Sequence, residues 1–408
     1  MIDQPYEIPN DWRWVRLQEV CGGFQYGYTE KATFEKVGSR FIRITDIRNG
    51  VINDETAPYC KISDNEYLKY KINKGDILIA RMGSVGENGL ATHDIDGVFA
   101  SYLIRLVPKI LPEFIRDYLQ SDLYWNQIMD KSQGTTRLNV NANILKNLTF
   151  PLPPLDEQQR IVDIIESLFA KLDKAKTLAQ NIIDNYELRR SAILHKAFKG
   201  QLTNSNLDNW QKVNLSTVCE INPPKISTKN LPDKLEVTFL PMTSISAELG
   251  KIIEQQRQPL IKVKKGFTNF SEGDVIFAKI TPCMENGKSA IIGKLINDIG
   301  YGSTEFYVLR CSEKLYNIFL YHLIRSQKFR DEAKSVMAGA VGQQRVPKNF
   351  LEKYLLNLPT IGEQKEIVRI LDSLLAKEQR TKELAEQTLQ KIDLMRKAIL
   401  ARAFRGKL

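Results

Sequence analysis

Residues 189–202, RRSAILHKAFKGQL, return almost unchanged at 395–408 as MRKAILARAFRGKL. The same offset of 206 residues lays PLPPLDEQQRIVDIIESLFAKL (151–172) over NLPTIGEQKEIVRILDSLLAKE (357–378), and the 52 positions of 151–202 and 357–408 align without a gap at 23 identities. The matches include Glu157/Glu363, Gln158/Gln364, Ala192/Ala398, Phe198/Phe404 and Gly200/Gly406. A weaker match continues upstream at an offset of 198, with DWRWVRLQEVC (11–21) on NWQKVNLSTVC (209–219) and KGDILIARMGSVGENG (74–89) on EGDVIFAKITPCMENG (272–287). A repeat on this scale restricts the possible folds more than composition can. The chain is two copies of one module, each with a divergent front part and a well-kept rear part.

The rear parts read as long helices. In the first, Ile161, Ile165, Leu168, Leu172, Ala175, Ala179, Ile182 and Tyr186 step by four and three, which is the seam of a coiled coil. The second seam, Ile367, Leu371, Leu374, Glu378, Thr381, Ala385, Thr388, Ile392 and Met395, is more polar. Asp156 with Gln159, and Thr360 with Glu363, predict capped helix starts after proline-containing segments, while Gly200 and Gly406 predict the stops. A helix over 156–198 would be roughly 60 Å long. Alone it would expose its seam, so the helix of the other copy is the expected partner. The second front part begins soon after the first helix ends, which predicts front domains at opposite ends of that helix and an antiparallel pair between them. The expected form is a dumbbell with a pseudo-twofold axis.

The front parts contain strand-like runs, DILIAR, YLIRLV, VTFLPM, DVIFAK and FYVLR, between Gly, Asn and Pro turns, followed by the helical stretches 112–128 and 313–329. Each reads as an α+β domain. The predicted division is a first front domain over 1–150, a first spacer helix over 151–202, a second front domain over 203–356 and a second spacer helix over 357–408.

With 43% hydrophobic and 26% charged residues, the composition is that of a water-soluble globular chain. The opening MIDQPYEIPNDW has no basic or apolar signal region, and no apolar run approaches membrane length, so a cytoplasmic protein without a membrane partner is expected. The cysteines 21, 60, 219, 283 and 311 are scattered without a C-x-x-C, which suggests reduced thiols and neither a disulfide framework nor a zinc site. The formal net charge of +10 favours a polyanionic partner.

PLPPLDEQQRIV and LPTIGEQKEIV opening long helices, RKAILARAFRGKL closing one, and GDVIFAKITPCMENGK within a front domain together resemble the specificity subunit of type I restriction-modification enzymes. The resemblance covers essentially the whole chain. It implies that the front domains are target recognition domains in tandem, each reading one half of a bipartite site in double-stranded DNA, and that the helices set the spacing and dock two methyltransferase subunits. It also implies that restriction and translocase subunits join in the full complex. Adenine N6 methylation with S-adenosylmethionine, and translocation with ATP and Mg, would then belong to those partners, leaving this chain without a catalytic residue, cofactor or metal of its own. Because the front domains differ, the implied site is asymmetric, with a spacer set by helix length; a duplex repeats about every 34 Å.

Base reading needs side chains that match base edges: Arg for guanine, Asn or Gln for adenine. Polar, glycine-bearing loops at 24–32, 80–89 and 134–141 in the first domain, and at 223–229, 278–288 and 342–346 in the second, are the candidates. From them Arg81, Arg137 and Asn139 are expected at DNA in the first domain, and Lys279, Gln343, Gln344 and Arg345 in the second. The Glu-Gln pairs at 157/158 and 363/364 read as first-turn residues near the positive end of a helix dipole.

Two rival functions follow from the same residues. A stand-alone two-headed DNA-binding regulator would need no partner. A DNA adenine methyltransferase would centre on Asn222 in Asn222-Pro223-Pro224-Lys225, although Lys stands where such loops carry an aromatic to stack on a flipped base. Asn286-Gly287-Lys288-Ser289 resembles the tail of a phosphate loop, but Pro282 occupies the place of its first glycine, and Pro232-Asp233 lacks the Glu-x-Lys of a nuclease. His93, His195 and His322 show no spacing that suggests a metal site or a triad.

Overall fold

The computed structural model describes residues 4–132, 139–203, 207–340 and 342–408, and they form two compact units. The first unit comprises 1–180 with 386–408, and the second comprises 181–385. Each unit is thus a front domain, the start of its own long helix and the end of the other copy's helix.

In the first unit, Arg13–Arg16 pairs antiparallel with Thr149–Leu152, joining the two ends of the front domain just before the long helix. A six-stranded sheet runs in the order Cys21–Tyr26, Leu103–Pro108, Ile77–Ala80, Asn88–Leu90, Gly50–Ile52, Ile47–Arg48. A four-stranded sheet runs Tyr59–Cys60, Ser39–Ile42, Ile95–Phe99, Lys71–Ile72, with its central pair parallel. The second unit repeats the plan. Gln211–Asn214 pairs with Leu355–Leu358, one sheet runs Cys219–Ile221, Phe306–Cys311, Val275–Ala278, Ser289–Ile291, and the other runs Gln256–Pro259, Glu236–Leu240, Gly300–Gly302, Thr268–Phe270, again with a parallel central pair. The apolar runs picked out in the sequence are the inner strands of these sheets. The short strands around them carry too few residues to show a period.

The predicted front helices are each cut in two, as Pro112–Leu119 with Asp122–Ser132 and Asn317–Arg325 with Gln327–Ser335. Ser121 and Ser326 make the cuts. Each hydroxyl donates to a carbonyl three residues back, of Tyr118 at 2.6 Å and Leu323 at 2.7 Å, and accepts an N–H three residues on, from Tyr124 at 3.4 Å and Phe329 at 3.3 Å. The side chain thereby ends one helix and caps the next.

The long helices are Leu155–Asp184, continued by Tyr186–Ala197, and Ile361–Ala403. The expected continuous first helix is interrupted at Asn185, whose N–H bonds the Asn181 carbonyl at 3.2 Å while its own amide side chain competes for that carbonyl at 2.8 Å. The Thr360 cap forms, its hydroxyl accepting the Glu363 N–H at 3.4 Å. The Asp156/Gln159 box does not: the first helix starts at Leu155, and the Gln159 amide donates forward to Asp163 at 2.8 Å. The first seam is buried or half-buried throughout. The second departs from expectation, since Thr381, Thr388 and Met395 are exposed and Lys382, Leu389 and Arg396 occupy the half-buried places one residue on. Leu371, Glu378, Ala385 and Ile392 keep their places seven residues apart, while the other line of the seam runs one residue later than expected, through Leu375, Lys382, Leu389 and Arg396.

Within each unit the helices are antiparallel. In the first, Arg160 donates to the Leu408 carbonyl at 3.0 Å, and Arg396 pairs with Asp173 while lying over the Phe169 ring. In the second, Arg189 meets Glu378 at 2.7 Å and the Tyr186 hydroxyl donates to Gln379 at 2.7 Å. The repeated terminal phrase explains itself here. Leu400, Ala403 and Phe404 belong to the first unit's core, with the Phe404 ring 5.2 Å from Phe114 and 6.0 Å from Tyr118. The equivalent Leu194 and Ala197 belong to the second unit's core, and Phe198 packs at 5.2 Å on Phe319. Gly200 and Gly406 stop these helices at φ +67° and +66°, and each pairs back by N–H bonds to the last turn, as in a Schellman motif.

The kept Glu-Gln pair is also structural, in a way the dipole argument did not anticipate. Gln158 and Gln364 are buried and donate to the carbonyls of Pro153 and Pro359, both at 2.9 Å, fixing the entry of each long helix. Gln364 in addition donates to Lys314 and accepts the Tyr316 N–H at 2.7 Å. Glu157 pairs with Arg160, and Glu363 accepts the Trp210 indole N–H at 3.1 Å. Among the described residues no helix is long and apolar enough to cross a membrane.

Two predictions follow from this packing. Phe404→Ala should destabilise the first unit by about 3–5 kcal/mol, seen as early loss of its protection in hydrogen exchange while the second unit retains its own. The second concerns Asp117, whose carboxyl is buried beside Phe114 and Tyr118; burial pushes its pKa from 3.8 up to about 7 against the opposing pull of Arg116 at 2.9 Å. The fold prefers the neutral acid, so the stability it contributes is fully present below pH 3.8 and is lost as pH rises through about 7. Asp117→Asn should therefore raise the unfolding temperature by a few degrees at pH 8 and leave it unchanged near pH 4.

Candidate nucleic-acid interface

In the first unit the strand Ile77–Ala80 delivers Arg81 to a rim where three chain segments meet. The Arg81 N–H donates to the Tyr102 carbonyl at 2.9 Å and its carbonyl accepts the Val140 N–H at 3.0 Å. The Arg81 guanidinium lies 4.7 Å over the Tyr26 ring, and its Nε is buried without a hydrogen-bond partner among the described residues. The Tyr26 hydroxyl in turn accepts the Ala142 N–H at 3.0 Å. Asn139 is exposed and, with Arg43, Ile44, Thr45, Met82, Gly83 and Tyr102, lines an open depression of about 860 Å³. The Val140 bond brings Arg81 and Asn139 to one rim, while Arg137 lies outside the described residues.

The second unit builds the same rim with the same main-chain bond. The Val346 N–H donates to the Lys279 carbonyl at 2.9 Å, and the Thr281 N–H to the Gln344 carbonyl at 3.0 Å. Lys279 holds its ammonium 5.4 Å over the Tyr307 ring. Gln343 is exposed and Gln344 half-buried. Arg345 is exposed, but its fork is engaged: Nε and Nη2 donate to the Glu305 carboxylate at 3.0 and 2.9 Å, and Nη1 to the Gln343 carbonyl at 2.9 Å. That pairing holds the Glu305 carboxyl below its ordinary range. All four expected residues therefore gather on one edge, with Arg345 fixed in direction by its neighbour.

A second fixed arginine was missed in the sequence. Arg43 precedes a three-residue turn, Ile44–Asp46, and the Asp46 carboxylate accepts its backbone N–H at 2.8 Å, its Nε at 3.0 Å and its Nη2 at 3.0 Å. The signal available was an Arg three residues before an Asp directly after a strand.

The motifs that suggested chemistry serve the fold. Asn222 has φ +54°, its N–H donates to the Val308 carbonyl at 2.7 Å, and its side-chain oxygen accepts the Val308 N–H at 3.0 Å, so the amide that would hold a base instead ends a strand. Lys288 donates to the Met242 carbonyl at 2.9 Å, and Asp233 pairs with Lys264 at 2.5 Å. His322 reaches Asp372 at 2.8 Å, where the first unit has Arg116 and Glu166 at 3.2 Å.

The family model described as type I restriction modification DNA specificity domain matches this chain twice, over residues 9–182 and 207–390. The chain belongs to the type I restriction-modification DNA specificity family. The EcoAI specificity subunit of Escherichia coli is 36% identical over 187 residues, 46% of this chain and 31% of that relative. The EcoKI specificity subunit of Escherichia coli K12 is 24% identical over 384 residues, covering 90% of this chain and 82% of that one. The match thus spans less than a third of EcoAI, and the one to the EcoBI specificity subunit 43% of it. Among solved structures, the HsdS subunit from Thermoanaerobacter tengcongensis has the same fold, with a TM-score of 0.70 at 23% identity over 99% of both chains.

Proposed function

We propose that this family member is the DNA sequence-specificity subunit of a type I restriction-modification enzyme, non-catalytic itself, each unit reading one half of an asymmetric bipartite site. The observation that carries the reading is the matched pair of rims. The same main-chain bond, Val140 to Arg81 and Val346 to Lys279, frames different side chains in the two units. A common frame with different contents suits two half-sites of different sequence, and a net charge of +10 suits a duplex. Residues Arg81, Asn139, Lys279, Gln343, Gln344 and Arg345 are the proposed DNA contacts, with Arg137 added from the sequence.

The proposed partners are two methyltransferase subunits, with restriction subunits in the full complex; S-adenosylmethionine, ATP and Mg would be theirs. A partner that binds twice is supported by apolar side chains kept in the open at equivalent places in both copies. Leu188 and Leu394 are 70% and 66% exposed, and Leu155 and Ile361 are exposed at the two helix starts. The cytoplasm is the proposed location.

The test is expression with the methyltransferase subunit encoded beside this chain in a methylation-free bacterium, followed by single-molecule methylome sequencing. The expected result is a bipartite, asymmetric methylated-adenine motif that appears only with both proteins. Sequence-specific DNA binding without new methylation, despite a stable complex, would favour the stand-alone regulator. Inserting seven residues into each long helix should lengthen the spacer by about 10 Å, roughly three base pairs at 3.4 Å each, and leave both half-sites unchanged. The double substitution Leu188→Glu, Leu394→Glu should abolish co-purification with the methyltransferase while circular dichroism stays that of the parent chain.

A further inference from the structure

The turn that holds Arg43 has a counterpart in the second unit. Strand Ser39–Ile42 leads into Ile44–Asp46 as strand Glu236–Leu240 leads into Met242–Ser244, and both turns close with the same bond, from the Asp46 N–H to the Arg43 carbonyl at 3.1 Å and from the Ser244 N–H to the Pro241 carbonyl at 2.9 Å. Arg43 is replaced there by Pro241 and Asp46 by Ser244. The turn therefore forms without the ion pair, and the pair is an addition of the first unit alone.

The geometry of that addition is specific. Asp46 is 5% exposed and holds the Nε and Nη2 edge of the guanidinium at 3.0 and 3.0 Å. Arg43 itself is partly open, on the wall of the depression shared with Thr45, Met82 and Asn139. Among the described residues Nη1 donates no hydrogen bond, so it and the remaining Nη2 proton point away from Asp46 as two parallel donors. Two acceptors side by side, guanine O6 and N7, match that edge in the major groove; adenine offers one acceptor and one donor and does not. Fixing the side chain in advance removes the ordering cost that a mobile arginine bears on binding.

We infer that Arg43 is a guanine-reading residue of the first unit, with Asp46 as its positioning residue. This rests on the proposed reading of the unit as a half-site reader and adds the base it selects. The competing account is that Arg43 only neutralises a buried carboxylate, in which case removing both charges would leave recognition untouched.

The test uses the same co-expression with the methyltransferase subunit and methylome sequencing. The variant Arg43→Ala, Asp46→Ser removes the pair, takes the serine that the second unit's turn carries and strands no buried charge. The expected result is a parent motif with a guanine in one half-site at which this variant loses discrimination by roughly five- to hundred-fold, while the other half-site and the spacer stay as they were. Asp46→Ser alone should relax the same position, a readout that a purely structural role would not move. Arg43→Gln, which keeps an amide for Asp46, covers failure of the double variant to fold and should admit adenine at that position. An unchanged motif in a folded variant overturns the assignment and leaves the half-site reading standing. Absence of any bipartite motif from the parent chain overturns the half-site reading and the assignment with it.

Discussion

Each front domain is closed by a helix end that the other copy of the repeat supplies. Phe404 lies among Phe114, Tyr118 and Phe150 in the first core, and Leu194 and Ala197 lie beside Phe319 and Leu356 in the second. An aromatic ring of this size removed from water is among the larger single contributions to a core, and here it comes from residues far away in the chain. Neither core is completed by its own copy of the repeat: each takes in a helix end that the other copy supplies. The retention of AIL-x-x-AF-x-G-x-L in both copies follows from this. The same plug has to fit two sockets.

The large features were legible because they are periodic or repeated. The duplication, the inner strands and the long helices with their glycine stops stand in the sequence as spacing. What escaped was set by single side chains acting on the backbone. Ser121 and Ser326 sit inside apolar helical patterns and look tolerable there, yet each hydroxyl bonds backwards and forwards and cuts the helix. One line of the second seam was placed a residue early because Leu374 and Leu375 are adjacent leucines, both half-buried, and spacing alone does not choose between them. Gln158 and Gln364 look like surface residues on a charged helix start, and only the tertiary structure shows them buried on proline carbonyls.

The candidate site was legible by loop and less so by residue. Gly-flanked polar loops pointed to the rims that the Val140 and Val346 bonds assemble, and six of the seven chosen residues stand at those rims; the seventh, Arg137, lies outside the described residues. Arg43 escaped because it continues a strand and carries no glycine or asparagine beside it. Its significance comes from Asp46 three residues on and from comparison with Pro241 and Ser244, a contrast that appears only once the two turns are laid on the same strand.

The bond from a valine N–H to the carbonyl of residue 81 or 279 involves no side chain of the residue it positions. Arginine in one unit and lysine in the other satisfy it equally, since every residue offers the same carbonyl. Substitution at such a position changes what is read without disturbing how the reader is held. A rim fastened through its main chain can acquire a new alphabet by small mutational steps, each made in a chain that still folds.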